Sequence, residues 1–227
     1  MQTVDAEQAL TSRRSIRAFT DQPVPRELIE HVLRVAGRAP SGQNAQPWKV
    51  YICQGAQKDA LSQAVIEARA KKPWPEREYR STPPRMGEPY AARRKQNGIA
   101  LYTLLGIRKG DSEAHDVQQR RNYLFFDAPI GLFFFVDSHL EMGSWLDCAF
   151  FIQNVMTAAR SVGLDTCAQG CWTNFHPIVR AHLGAAQSET LICGMSLGYV
   201  DETALANRLE VPREPTDAYA RWVGFES

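Results

Sequence analysis

Three arginines and a serine stand within five residues near the start of the sequence, at Arg13-Arg14-Ser15-Ile16-Arg17. Guanidinium groups present several hydrogen-bond donors in a planar fork, which matches the oxygens of a phosphate group. The same residues would also suit a solvated basic turn at a helix end, where positive charge is favourable. Taken alone, this segment indicates either an anion-binding site or an exposed turn.

A second polar segment, Ala39-Pro40-Ser41-Gly42-Gln43-Asn44-Ala45-Gln46-Pro47-Trp48, lies between a predicted helix and a predicted strand. Its small and amide side chains offer hydrogen bonds without charge. That chemistry suits a polar heterocycle better than a metal ion or a nucleophilic centre. An ordinary loop rich in turn-forming residues would have a similar composition, so this segment alone does not identify a function either.

Several functional classes are disfavoured by missing motifs. The five histidines form no His-x-x-x-His pair, so the sequence predicts no metal site. It contains no Gly-x-Gly-x-x-Gly of a Rossmann dehydrogenase and no Walker loop. The sequence therefore gives no support for a zinc hydrolase, a Rossmann dehydrogenase or a protein with a Walker loop.

Length and composition indicate an ordinary globular chain. The 227 residues are 44% hydrophobic, and we expect a single domain over residues 1–227. A formal net charge of +1 gives no general attraction to nucleic acid or to a membrane surface. The first ten residues are polar and acidic, and the longest apolar run, Ile130 to Val136, is too short to cross a bilayer. With five cysteines, an odd number, we expect reduced thiols in a soluble cytoplasmic protein.

Hydrophobic periodicity predicts the elements that position the two polar segments. Ile130 to Val136 suits a strand buried on both faces, and Gly143 to Val162 suits a central helix that ends at Gly163. A helix opened by Pro25 ends before Pro40. The other predicted helices span about 5–14, 57–70, 89–105 and 177–183, and the other strands about 48–53, 166–169 and 191–200.

Two regions do not fit a core. Residues 71–95 begin with a stretch that carries five prolines, and we interpret this region as a lid or binding insert. The C-terminal arm, residues 201–227, ends in aromatic residues that need burial, either on a partner subunit or on the arm's own domain. The insert supplies candidate contacts for an aromatic or anionic substrate: Trp74, Tyr79, Tyr90 and Arg93.

The two polar segments in combination resemble the start of the FMN-dependent nitroreductase family. The pattern is Arg-x-Ser-x-Arg, a helix that begins near a proline, and then Pro-Ser-x-x-Asn-x-Gln-Pro-Trp leading into a strand. The resemblance continues over nearly the whole chain, through Asn122 to Pro129, Gly163 to Thr166, Gly198-Tyr199, Asn207 to Leu209 and Arg213 to Pro215. It is closest to the bacterial branch with a Tyr/Pro/Arg-rich insert.

This resemblance implies an α+β fold with a mixed central sheet flanked by helices, in an intertwined homodimer. Arg13, Arg14, Ser15 and Arg17 would hold the phosphate, ribityl chain and pyrimidine edge of FMN, and Arg213 would close on the phosphate. Pro40, Ser41, Gly42 and Asn44 would approach the flavin from the second subunit. The main chain of Ala168, Gln169 and Gly170 would lie along the ring, although Cys167-Ala168-Gln169-Gly170 departs from the Pro-x-Glu-Gly or Thr-rich turn of many relatives.

The implied activity is electron transfer from NAD(P)H to a nitroaromatic or similar small oxidised acceptor. It needs no side-chain nucleophile, because the flavin carries the chemistry, with Arg17, Gln169 and Gly170 in support. One shared flavin face implies ping-pong kinetics. Two alternatives remain open: a flavin-binding sensor or storage protein without turnover, and a reductive dehalogenase or ene-reductase on the same scaffold.

Overall fold

The computed structural model describes residues 4–72 and 77–225. Its helices are α1 (Ala6–Ser12), α2 (Arg26–Ala36), α3 (Gly55–Lys71), α4 (Tyr90–Leu104), α5 (Ser112–Arg120), α6 (Met142–Ser161), α7 (His176–Leu183) and α8 (Thr216–Tyr219). Its strands are β1 (Lys49–Gln54), β2 (Ile130–Asp137), β3 (Asp165–Gln169) and β4 (Glu189–Gly198).

The four strands form one sheet in the order β1-β2-β4-β3, and each neighbouring pair is antiparallel. A one-residue bridge between Ser15 and Thr166 adds a parallel pairing beside β3. The predicted α+β fold with helices around a central sheet is confirmed. The parallel part of the predicted mixed sheet is this single bridge, because the segment that carries Ser15 is too short to form a strand of its own.

Strand β2 lies inside the sheet and contributes to a core on each face. Leu132, Phe134 and Val136 pack in the core that includes α2 and α6, whereas Phe133 and Phe135 pack in the core that includes α3. Successive side chains of a strand point to opposite faces, so a continuous apolar run fills both cores. The prediction that this run is buried on both faces is confirmed.

Local signals set the helix ends. Asp5 caps α1 by accepting a hydrogen bond from the N–H of Gln8 at 2.8 Å. Pro25 precedes the first residue of α2, which ends at Ala36, before Pro40 as predicted. Just beyond α6, Gly163 takes a φ of +81°, a conformation that glycine adopts without steric cost.

Three consecutive non-glycine residues before β2 take the left-handed conformation, with φ of 52° at Phe125, 53° at Phe126 and 71° at Asp127. This costs roughly 1 to 2 kcal/mol for each residue. Burial of both phenylalanine rings in the core offsets that cost. The turn presents the carbonyl of Phe126 to the N–H of Phe19 at 3.1 Å, and so fixes the segment that follows the arginine cluster.

The insert and the arm both contact the body of the molecule. Trp74 lies outside the described residues. Tyr79 donates a hydrogen bond to the carbonyl of Ile192 at 3.0 Å, and Glu78 accepts one from buried Arg180 at 2.8 Å. Farther along the arm, Trp222 and Phe225 remain 70% and 72% exposed in the single chain. The early insert is therefore anchored to the body, while the end of the arm has no cover within its own protomer.

Among the described helices that the sequence did not predict, α5, with nine residues, is the longest. Among the described residues, no helix combines the length and apolar composition that crossing a bilayer requires.

Candidate functional site

The arginine segment runs alongside the start of β3. Ile16 and Ala18 are buried, whereas Ser15 is exposed and Arg17 is half-buried, so alternate side chains point inward and outward as in a strand. The N–H of Ile16 donates to the carbonyl of Thr166 at 3.1 Å. The apolar residues thus anchor the segment and leave Ser15 and Arg17 on its accessible side.

Asn207 fixes the main chain of the same segment from the other direction. Its Oδ1 accepts from the N–H of Arg17 at 2.7 Å, and its Nδ2 donates to the carbonyls of Ala18 and Asp201 at 2.8 Å. Asn207 is itself buried. The side chain therefore joins the N-terminal arginine segment to the beginning of the C-terminal arm.

A cavity of about 600 Å³ opens between the N-terminal arginine segment and the C-terminal arm, and we call it the arginine cavity. It is lined by four arginines and by neighbouring polar and apolar residues: Leu10, Thr11, Ser12, Arg13, Arg14, Ser15, Arg17, Asn97, Leu209, Glu210, Val211 and Arg213. The structure therefore brings together the five residues that the resemblance assigned to the phosphate, ribityl chain and pyrimidine edge of FMN: Arg13, Arg14, Ser15, Arg17 and Arg213. One carboxylate, that of Glu210, is among the lining residues, so the cavity has a strong excess of positive charge.

Asn97 of α4 is a lining residue that the sequence interpretation missed. Its Oδ1 is buried and has no hydrogen-bond partner among the described residues. A buried acceptor without a partner is costly, which indicates that a ligand donor satisfies it. A second cavity, of about 490 Å³, has Asn97 and Arg213 in common with the arginine cavity. Arg93 lines this second cavity. In the sequence, Asn97 could have been found from its four-residue spacing from Arg93, because that spacing places both residues on one helix face.

Arg160 links the end of α1 to the start of β3. Its Nε donates to Ser12 Oγ at 3.1 Å, and its Nη1 lies 3.4 Å from Asp165 Oδ2. Burial raises the pKa of Asp165 above its ordinary value of 3.8, and the positive charges of Arg160 and Arg14 lower it only in part.

We expect Asp165→Asn to become more favourable relative to the wild type as the pH rises from 4 to 7. Because the folded-state pKa of Asp165 is raised, the unfolded state loses its proton first, and the stability from this group falls through that window. Urea unfolding of both proteins at pH 4, 5, 6 and 7 tests this. A stability difference that is the same at every pH would contradict it.

In the strip formed by Ala168, Gln169 and Gly170, one buried residue stands between two exposed ones. Gln169 is only 2% exposed, and its side chain donates to the carbonyl of Asn122 at 2.6 Å and accepts from Ser196 Oγ at 2.8 Å. Ala168 and Gly170 on either side are exposed. A Cβ added at Gly170 would meet no atom within 4 Å, so the space above this glycine is open.

The loop of Pro40, Ser41, Gly42 and Asn44 stands apart from the arginine cavity and contributes none of its lining. The N–H of Gly42 donates to Asp147 Oδ2 at 3.1 Å, and Ser41 Oγ accepts from the N–H of Gln46 at 3.0 Å. Asn44 and Gln46 take positive φ. The loop is thus shaped by its own hydrogen bonds and does not meet the arginine cluster within one chain.

The described substrate candidates do not converge. Tyr79 packs edge-on against Trp145 with ring centroids 4.6 Å apart, and burial raises its pKa to about 12. Tyr90 is exposed, with the guanidinium of Arg93 lying 5.8 Å from the centre of its ring. Arg93 pairs with Glu214 at 2.8 Å. Tyr79 therefore holds the insert in place, whereas Tyr90 and Arg93 lie near the arm.

The five cysteines are free thiols. Burial raises the pKa of Cys167 and of Cys193, on either side of the exposed strip, to about 11. Both thiols are therefore protonated at neutral pH and are poor nucleophiles. Among the residues that the structure describes, no cluster of three or more His, Cys, Asp or Glu is placed to hold a metal ion.

Comparison with known proteins is consistent over the whole length. The chain is 37% identical to a 4-nitrobenzoate reductase of Pseudomonas putida, covering 99% of this chain and 98% of the relative. It is 35% identical to a chloronitrobenzene nitroreductase of Comamonas testosteroni, covering 94% and 95%. The crystal structure of an FMN and NADPH-dependent nitroreductase NfnB from Sphigopyxis sp. strain HMH superimposes with a TM-score of 0.95 at 37% identity, covering 98% of this chain and 100% of the other. The sequence model of the nitroreductase family matches residues 10–199, and the chain belongs to that family.

Proposed function

We propose that this protein is an FMN-dependent oxidoreductase that uses NADH or NADPH to reduce small nitroaromatic compounds. The observation that carries the proposal is the arginine cavity, which collects Arg13, Arg14, Arg17 and Arg213 with Ser15 around a volume of about 600 Å³. Relatives that match nearly the full length reduce nitrobenzoate or chloronitrobenzene by their names, and a neighbouring structure is named as FMN- and NADPH-dependent.

The donor set of the cavity fits FMN. Four guanidinium groups match the charge and the oxygens of a phosphate monoester. Asn97 adds a buried Oδ1 that needs a donor, and the hydroxyl groups of a ribityl chain supply donors. We place the phosphate among Arg13, Arg14 and Arg213, and the ribityl chain toward Asn97 and Ser15. Arg17, fixed by Asn207, then lies toward the pyrimidine edge.

The exposed strip supplies the surface for the flavin ring. Because the side chain of Gln169 is turned into the protein, the ring meets the main chain of Ala168 to Gly170. A side chain at residue 170 would fill the open space there, which is a reason for glycine at this position. Arg17 contributes fixed positive charge, which stabilises negative charge on a reduced cofactor.

The site is completed by a second copy of the chain. Pro40, Ser41, Gly42 and Asn44 do not line the arginine cavity of their own protomer, and we assign them to the partner's flavin. The aromatic residues at the end of the arm are exposed in the single chain and find cover on the partner. Light scattering of the purified protein is expected to return a dimer, and a stable, active monomer would contradict the shared site.

The chain's own residues bind and orient, and none is assigned a covalent step. The chemistry supplied by bound FMN is hydride transfer from reduced nicotinamide to a nitroaromatic acceptor. The protonated thiols beside the strip keep that surface unreactive. The insert, residues 71–95, borders the site in this proposal, with Trp74, Tyr90 and Arg93 as substrate contacts and Tyr79 as the anchor of the insert. We place the protein in the cytoplasm, where reduced nicotinamide is available.

An anaerobic absorption spectrum tests this function. We expect the purified protein to be yellow, to bleach when NADPH or NADH is added, and to recover its colour when 4-nitrobenzoate is added. Persistent colour with both reduced nicotinamides would point to a flavin-binding protein without this turnover. A colourless protein that takes up no added FMN would contradict the cofactor assignment.

A further inference from the structure

A second basic cavity, which shares no lining residue with the arginine cavity, lies between α4 and α5 and takes part of its lining from the insert. Its volume is about 540 Å³, within the range of small-molecule sites. Its lining includes the cations Arg94, Lys95 and Lys109, the rings of Tyr102 and His115, and Gly98. We refer to it below as the α4–α5 cavity.

The α4–α5 cavity and the arginine cavity are lined by different faces of α4. Arg94, Gly98 and Tyr102 follow one another at four-residue spacing and line the α4–α5 cavity. Arg93 and Asn97 directly precede the first two of these residues in the sequence and line the cavities beside the arm. The linings of the α4–α5 cavity and the arginine cavity have no residue in common.

The lining combines an apolar and aromatic wall with unopposed positive charge. Tyr102 and His115 pack with ring centroids 4.0 Å apart at 55°, and isoleucine side chains extend the wall. Arg94, Lys95 and Lys109 add three cations, and the lining contains no carboxylate. Within residues 4–72 and 77–225, none of these three cations forms an ion pair.

We propose that the α4–α5 cavity binds an aromatic carboxylate. A flat ring matches the apolar wall and the exposed faces of Tyr102 and Ile99, while a single carboxylate meets the cations. An inorganic anion would pair with the cations but would leave the apolar wall in contact with water. A neutral arene would cover the apolar wall but would leave the three cations without a counter-charge. Arg94 and Lys95 belong to the insert, but the cavity shares no lining residue with the arginine cavity, so binding here and flavin binding are tested separately.

Gly98 provides a test that does not threaten folding. A Cβ added there meets no atom within 4 Å, and residue 98 lies within a helix, where glycine is less favourable than other residues. Benzoate binding to the oxidised, FMN-loaded protein is measured by isothermal titration calorimetry. We expect Gly98→Leu to fill the cavity and weaken benzoate at least tenfold, and Gly98→Ala to bind nearly as the wild type does. Equal benzoate affinity in Gly98→Leu and Gly98→Ala would overturn the proposal.

Lys109 tests the charge. We expect Lys109→Ala to weaken benzoate severalfold without changing the binding of benzyl alcohol, and Arg34→Ala, which removes an exposed cation in the last turn of α2, to change neither. Benzoate binding that is insensitive to Lys109→Ala, or inorganic phosphate that competes as well as benzoate, would overturn the proposal. Flavin content and bleaching by NADPH are recorded on the same samples. Loss of benzoate binding with an intact flavin response therefore separates this site from the proposed reaction.

Discussion

Replacing Arg13 and Arg213 together with alanine is expected to yield a folded protein that purifies almost without FMN. Both residues line the arginine cavity, one from each end of the chain. A hydrogen bond to a charged group contributes about 1.5 to 3 kcal/mol, so losing two weakens FMN binding by roughly 100-fold to 10,000-fold. The ratio of flavin to protein absorbance gives the occupancy, and a fluorescence titration with FMN gives the dissociation constant.

The double variant is preferable to either single one because the remaining arginines can partly replace one lost contact. A matched control removes two exposed arginines outside the cavity, Arg34→Ala with Arg108→Ala, and is expected to retain its flavin. Full FMN occupancy in the Arg13 and Arg213 double variant would show that the phosphate lies elsewhere.

Gly194→Ala is expected to destabilise the folded protein by roughly 3 kcal/mol, because a methyl group here overpacks the core. An added Cβ would clash with Cδ1 of Trp172 and lie 2.9 Å from its Cγ. Trp172 is fully buried and cannot swing away, since its ring packs against those of Tyr123, Phe125 and Phe133. Urea unfolding measures the change. Gly143→Ala, where the added Cβ meets nothing within 4 Å, should leave stability unchanged or slightly higher.

A double-mutant cycle distinguishes a clash with Trp172 from a general intolerance of side chains at residue 194. In a Trp172→Leu background the ring is gone, so Gly194→Ala should cost much less than it does in the wild type. A cost that is equal in both backgrounds would show that Trp172 is not the obstacle. Because Gly194 pairs with Gln169 across β3 and β4, the single variant should also lower flavin content.

The elements that carry strong apolar patterns could be predicted from the sequence to within a few residues. The run that became β2 and the helix that became α6 bury large apolar side chains, so their periodicity is dictated by the core. Helix α5 lacks that signal. It has no buried residue and is held by the cap of Asp111 on the N–H of Ala114 and by the Arg69–Asp116 pair at 2.6 Å. A helix held mainly by polar contacts of this kind leaves little trace in hydrophobic periodicity.

The candidate site was predictable only where neighbouring residues formed a motif. Arg13 to Arg17 stand together in the sequence, and the resemblance supplied Arg213. Asn97 is significant only because its helix turns that amide toward a cavity built by other parts of the chain. The positive φ angles of Phe125 and Phe126 were likewise unreadable, because phenylalanine has no local preference for them and tertiary packing enforces them.

The arginine cavity has a consequence for the order of events during synthesis. Its lining comes from residues 10–17, from Asn97 and from residues 209–213. At about 5 to 20 residues per second, roughly 10 to 40 seconds separate translation of the first arginines from that of the last. Asn207, which fixes the main chain of Arg17, is also made late. A ribosome-bound chain therefore lacks the full set of cationic groups, and under the proposed assignment capture of FMN follows translation and stabilises the folded state that it binds.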